Sequence, residues 1–480
     1  MLNLTENLIN FAFEYDSKGI PLKTSDIAKC VLRDGVAALC LGMEHHTPKT
    51  MLHHYKKTSA TGDCPVLGAN TKLSVIDAAM LYGLAIHSMD FEPMFMPPTH
   101  AVSPVLGALI PLLQTNRGDS SKFLYAFIMG IQFQADLRKA TYLNDQQAAE
   151  SNNHFPFDRN GFHPPGIVGP LGAALACSIY LGLSKEKTAM AIGMASSRAS
   201  GISGNIGTMA KATHCGNAAR VGLESAMMID SGFTASKNIL ESGSGWGEVF
   251  GGNQFNSDQL LHGMRNLDCF SSPGFAFKKY PAHTAMQMTI DCASQLIGKI
   301  DDISKVHQIV VRVPIFNYCD RPYPKDSDEA RFSFQFSVAA TLLHGDVSVE
   351  TYCDKNVLSQ EMKNILDKIK LVKDPNIKKN FMDMEIEINI DNHLSVKSNS
   401  WRGHWKNPAS EVDHLQKLKK CLQNKYTELE INNLNKIIMN VEQEEFTELF
   451  KLFLQDQLNL NIHTSELNQA QHDELYSSFY

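Results

Sequence analysis

The chain has no Cys-x-x-Cys pair and no histidine–cysteine cluster at zinc spacing, although its 480 residues include 10 cysteines. That excludes a disulfide scaffold and a structural zinc module, and leaves scattered buried thiols in a reducing compartment as the reading. Lysine and arginine form no block, and the net charge is −7, which excludes a nucleic-acid binder. No arginine precedes Arg33, while Glu6, Glu14 and Asp16 lie near the start. A mitochondrial transit peptide is basic and poor in acids, so the sequence alone suggests a cytoplasmic protein. Long apolar runs are also scarce. Residues 166–183 have the length of a membrane span, with only Ser178 and Tyr180 polar. Four glycines and Pro170 weaken that run, and the spacing Gly166, Gly169, Gly172 suits a helix buried against others. No strand precedes it and no Gly-Lys-Ser/Thr follows, so it is not a phosphate-cradling loop.

What remains is an ordinary globular composition, 43% apolar and 20% charged, on a chain too long for one compact core. Residues 4 to about 270 read as successive helices. Thr5 is expected to cap the first and Thr24 or Ser25 the second, with further helices over 75–87, 122–137, 185–200 and 217–231. After Pro273 the pattern changes. Residues 306–313 alternate and are β-branched, and residues 384–390 turn at Asp391-Asn392 and return through Leu394 and Val396 as a hairpin. A helix is expected over 328–343, and helices resume after Pro408. The fold class expected is mainly α: a large all-helical domain from both ends of the chain (1–272 and 408–461) with a smaller inserted α+β lid domain (273–407). Residues 462–480 are polar, lack apolar periodicity and are expected to be disordered.

Six short stretches place Asp, His, Lys or Tyr beside glycine or proline, where a backbone turns and a side chain can enter a cleft. They are His87-Ser88-Met89-Asp90-Phe91, Pro98-Thr99-His100, Gly161-Phe162-His163-Pro164-Pro165, Lys211 through Asn217, Lys279-Tyr280-Pro281-Ala282-His283, and Asn317-Tyr318-Cys319-Asp320-Arg321-Pro322. In order and spacing they resemble the MmgE/PrpD family, and within it the branch that decarboxylates cis-aconitate to itaconate. The likeness runs from about residue 4 to about residue 460. It implies a homodimer, a small tricarboxylate substrate, no metal and no cofactor, and a mitochondrial setting.

By match to the family's motifs, the resemblance implies a catalytic set of Asp90, His100, His163, Lys211, His283 and Tyr318. Lys211, His163 and His283 would bind carboxylates, Tyr318 and His100 would deliver or orient a proton, and Asp90 would hold a histidine in one tautomer. His87, His214 and Arg321 would stand behind them. His45-His46 and His53-His54, in a polar segment, read as solvated. One loop departs from the family. Its Asp-Phe-Asp-Asp-Thr is here Asp90-Phe91-Glu92-Pro93-Met94, so a hydroxyl expected to face substrate becomes the thioether of Met94. Pro93 also removes a backbone donor. That departure keeps two alternatives open: an inactive paralogue that binds ligands or partners, and a 2-methylcitrate dehydratase-like lyase.

Overall fold

Small residues decide how the helices meet. In a computed structural model describing residues 3–142, 161–271, 273–377, 382 and 384–455, helix α7 (Pro164–Tyr180) is buried from Pro165 onward. It packs against α5 (Val102–Gln114), α6 (Phe123–Ala140), α8 (Lys185–Ser196) and α9 (Ala210–Asp230). Gly172 of α7 faces Gly130 of α6 so closely that a Cβ on Gly172 would lie 2.5 Å from the Gly130 carbonyl oxygen. The glycine-rich run is thus a core helix, and among the described residues no helix is long and apolar enough to cross a membrane.

The chain is mainly helical. Helices α1 (Leu4–Lys18), α2 (Leu22–Met43), α3 (His46–Thr58) and α4 (Val75–His87) precede the α5–α9 group. The expected span 75–87 is observed to the residue. Two expected caps are not. Thr5 lies inside α1, buried, with its hydroxyl on Glu241, and α2 begins before Thr24, after Pro21. Proline fits just before or at a helix start, since its missing N–H is unneeded there. A short antiparallel pair, β1 (Cys64–Val66) and β2 (Ala69–Leu73), interrupts the helices where only helix was expected. Residues 143–160 and 456–480 lie outside the described residues, the latter stretch containing the tail 462–480 for which disorder was expected.

A second apolar cluster gathers residues 276–401 and takes Met94 from the earlier chain. Its sheet runs in the order β4-β3-β5-β6, with β3 (Ile309–Val313) parallel to β4 (Ile369–Lys373) and antiparallel to β5 (Ile386–Ile390), and β5 antiparallel to β6 (Leu394–Ser398). The β5–β6 turn falls at Asp391-Asn392, both left-handed at φ 50° and 59°, the first two residues of a three-residue loop closed by Ile390 opposite Leu394. Helices α10 (Thr284–Ser294) and α11 (Phe334–His344) pack together in this cluster. The helix expected over 328–343 is broken: a turn at Ser327–Ala330 ends, and Ser333 caps α11 through its hydroxyl. At the break Phe332 meets the Lys211 ammonium, 5.2 Å from its ring centre, and Arg331 donates to the Pro281 carbonyl. The last helices, α12 (Glu411–Leu422), α13 (Glu428–Met439) and α14 (Glu444–Leu454), return their apolar residues to that first cluster. Arg33 of α2 ties them in through Glu411 and Asn435, the latter at 2.8 Å.

Candidate active site

Between α4 and α5 the backbone must reverse, and it does so through Asp90, whose φ of 51° is rare for a residue with a side chain. The turn sends the Asp90 carboxylate inward, 3% exposed. Lys211, in the first turn of α9, holds one oxygen, and Lys278, which is 1% exposed, holds the other. Lys278 also donates to the Asp90 carbonyl at 2.6 Å. Burial works to raise the Asp90 carboxyl, but the two ammonium groups outweigh it and hold it well below the ordinary carboxylate range. Burial in turn lowers Lys278, a shift that Asp90 opposes.

Two residues on, Glu92 is completely buried and meets no lysine. Its Oε1 lies 2.8 Å from His87 Nδ1 and 3.2 Å from His100 Nδ1. Its Oε2 accepts from the Ser103 amide at 2.9 Å and the Ser103 hydroxyl at 2.5 Å. His100 Nε2 points back to Asp90 Oδ1 at 4.0 Å. The His87 and His100 rings meet edge-on with centroids 4.2 Å apart.

Helix starts supply further groups. His163 is the residue before Pro164 of α7, which explains the His-Pro-Pro run, and its Nδ1 lies 3.0 Å from His214 Nδ1. His214 sits one turn after Lys211 on α9. His283 caps α10, accepting the Ala285 amide on Nδ1 at 3.3 Å, so Nε2 carries its proton 3.5 Å from the Tyr318 hydroxyl. The positive ends of three helices thus face the cluster, an arrangement that favours anions. Burial, reinforced by Lys211, lowers His87 to about 3. Burial, reinforced by Lys278 and Lys211, takes His283 to about 3 as well. Burial also lowers His100, His163 and His214. Five neutral imidazoles therefore surround two lysines and two carboxylates.

The chain belongs to the MmgE/PrpD family. Residues 6–258 match the MmgE/PrpD N-terminal domain and residues 280–443 the MmgE/PrpD C-terminal domain. The mouse cis-aconitate decarboxylase is 32% identical over 351 residues, 70% of this chain and 69% of the relative. The human cis-aconitate decarboxylase is 31% identical over 383 residues, 77% of each. A cis-aconitate decarboxylase of Aspergillus terreus is 26% identical over 249 residues, about half of each chain. The family's N-terminal part holds Asp90, Glu92, His100, His163 and Lys211, and its C-terminal part holds His283 and Tyr318. The described cluster draws on both, and Lys278 lies in the stretch between them.

Of the positions singled out by sequence, Asp90, His100, His163 and Lys211 share one cluster with His87 and His214. Tyr318 reaches it through His283, and remains partly exposed. Arg321 lies over Gly207, donates to the Tyr318 carbonyl at 2.9 Å and pairs with Glu329 at 3.5 Å. Met94 is elsewhere. It packs in the second apolar cluster, pairs its backbone with Ala276, and accepts the Thr284 hydroxyl on sulfur at 2.9 Å. It does not line the 30 Å³ cavity beside Asp90 and Lys211, whose wall also includes His87, Thr208, Arg331 and Phe332.

Two groups escaped the sequence reading. Lys278 stands one residue before the Lys279 motif; Lys279 is exposed and Lys278 buried, and no local signal separates the two neighbouring lysines. Glu92 was read only as a departure. One reading is corrected: His45 is not solvated but 7% exposed, and with His46 it faces Asp328 at 3.5 and 3.3 Å. Its burial follows from capping α3, where Nδ1 accepts the Thr47 amide. His53 and His54 are exposed, as expected. Among the described residues three groups could hold a metal ion: His87, His100 and His163, with ring nitrogens within 4.8 Å of one another; His45, His46 and Asp328; and His87, Glu92 and Cys215.

Proposed function

We propose that this site decarboxylates cis-aconitate to itaconate without metal or cofactor. The observation that carries the reading is a buried carboxylate gripped by two lysines and ringed by neutral histidines. Such a site is built to hold carboxylates and to gain positive charge when one arrives. The relatives' names supply the substrate. Loss of carbon dioxide from the methylene carboxylate leaves an electron pair on an allylic carbon. That pair delocalises across the double bond toward the carboxylate at the far end, and protonation there gives itaconate. The conjugated carboxylate is itself the electron sink, so the protein has to stabilise growing negative charge, orient the departing group and deliver one proton. Lys211 and Lys278 supply the fixed cations, and His163 and His283 the hydrogen bonds. A homodimer in a mitochondrial setting completes the proposal on the family resemblance; sedimentation and cell fractionation test these two points.

The deciding experiment incubates EDTA-treated protein with cis-aconitate and, separately, with 2-methylcitrate, and identifies products by NMR. Itaconate from the first alone is the expected result. A dehydrated product from 2-methylcitrate would replace the reading with a dehydratase, and no turnover of either with retained binding would leave an inactive paralogue. One observation favours a second reading, metal-assisted lyase chemistry: the three ring nitrogens of His87, His100 and His163 lie close enough for one ion. Lys211 beside them opposes a dication. Activity lost to EDTA and restored by a divalent ion would establish that second reading.

A further inference from the structure

Among the described residues, the buried cations Lys29, Arg33, Lys211, Lys278 and Lys417 each meet a carboxylate. Arg331 does not. It is 4% exposed, and its Nε is buried without a hydrogen-bond partner. Its one side-chain hydrogen bond among the described residues runs from Nη1 to the Pro281 carbonyl. Asp328, on the same turn, faces His45 and His46 instead, at 3.5 and 3.3 Å. A buried charge without a counter-charge is costly, and an anionic ligand would supply what the protein does not. The guanidinium is nonetheless held in place. It lies over the Tyr352 ring, 4.8 Å from the centroid, and the Arg331 carbonyl accepts the His283 amide at 3.1 Å. With Nη1 on Pro281, the edge left open is that of Nε and Nη2, a pair able to grip a carboxylate side-on.

Arg331 lines the 30 Å³ cavity together with Asp90 and Lys211, and it also lines a larger cavity of 260 Å³ with His45, Met89 and Tyr352. It therefore stands in the wall between two open spaces, where a ligand group has room that a packed arginine would not leave. The next residue, Phe332, sets its ring against the Lys211 ammonium. The lysines of the site are already engaged: Lys211 and Lys278 share Asp90, and the buried Glu92 adds a second negative charge. These four charges cancel, and the next cation in the wall is Arg331. We propose that Arg331 is a substrate-binding residue whose open guanidinium edge takes one carboxylate of the ligand side-on, while Lys211 meets another. The inference rests on the reading of the site as one for a small tricarboxylate, and not on which bond is broken there. An arginine suits this place better than a lysine, because its planar fork binds both oxygens of one carboxylate and fixes the plane of that group.

Calorimetric titration with tricarballylate, a saturated tricarboxylate with neither the double bond nor the hydroxyl that lyase chemistry needs, reads binding apart from turnover. Arg331→Gln should lose about tenfold to a hundredfold in affinity, the worth of a charged two-point hydrogen bond. Arg331→Lys, which keeps the charge and loses the fork, should recover part of that loss. Without ligand, Arg331→Gln should melt no lower than wild type, since an unpaired buried charge has been removed. A residue of purely structural importance would behave in the opposite way, with a lower melting temperature and undiminished affinity, and that result overturns the proposal. So does wild-type protein that binds no tricarballylate. Should Arg331→Gln fail to fold, crystals of wild-type protein grown with tricarballylate decide: a carboxylate on Nε and Nη2 of Arg331 is expected, and a ligand bound away from the guanidinium overturns it. Affinity lost in Arg331→Gln, together with no itaconate from cis-aconitate in the wild type, would sink the reaction and leave the role of the arginine standing.

Discussion

Asp90 and Glu92 are two carboxylates in one loop, two residues apart and equally hidden from water, with opposite company. Asp90 has two ammonium groups, on elements 121 and 188 residues away. Glu92 has two imidazoles and a serine from its own neighbourhood, His87, His100 and Ser103. The difference teaches that burial alone does not assign a role. The lysines on Asp90 are a grip that a ligand carboxylate can share, because an ammonium is a point charge with three donors. Glu92 instead meets donors without fixed charge, His87 Nδ1 and the amide and hydroxyl of Ser103. One carboxylate is matched by lysines, and the other by donors without fixed charge.

The comparison breaks most visibly at Asp90→Asn. Two buried lysines would lose their counter-charge, and the fold should weaken by about 3–5 kcal/mol. Urea melts measure this, and an unchanged midpoint would mean that the lysines find another partner. Next, Lys211→Ala should leave Lys278 on Asp90 and the protein folded. Its turnover should fall on the order of a hundredfold, a few kcal/mol of lost transition-state stabilisation. Near-normal rates would remove Lys211 from the chemistry.

Acidification sharpens the contrast from the histidine side. His87 and His283 titrate at about 3 in the folded protein and near 6.5 unfolded. Between those values the unfolded chain binds more protons, so stability is full above pH 6.5 and falls as pH drops toward 3. The slope is about 1.4 kcal/mol per pH unit for each group. Melts at pH 7 and pH 5 check it, and a flat profile would mean that folding leaves the titration of these rings unchanged. The smallest effect is expected at Met94→Thr, which trims a buried side chain but offers Thr284 an oxygen in place of sulfur. A cost of about 1–2 kcal/mol with turnover little changed is expected. A large gain in rate would return position 94 to the substrate.

Local signals were legible in the sequence. Helix α4 was read from Val75 to His87 by its apolar continuity, and the Asp391-Asn392 turn by residues that tolerate a left-handed backbone. The close-packed α7 followed from its glycines, and the site motifs from titratable residues beside glycine and proline. What sequence could not give was company. Nothing local says that Lys278 rather than Lys279 turns inward, or that Glu92 collects two histidines. The split at Arg331–Ser333 was also hidden, since the apolar pattern runs on through it and only the Ser333 cap reveals the break. Thr5 shows the same limit, being a helix-starting residue by type that long-range pairing with Glu241 draws into the helix.

The 30 Å³ cavity beside Asp90 and Lys211 has room for about one water molecule, far less than a six-carbon acid. Its walls come from α4 and α9 on one side and from the Asp328–Phe332 turn on the other, so the seam between the two apolar clusters runs through it. Widening of that seam is the expected way for a six-carbon acid to enter and for product to leave. On that expectation glycerol in the buffer should slow steady-state turnover more than it slows the chemical step itself.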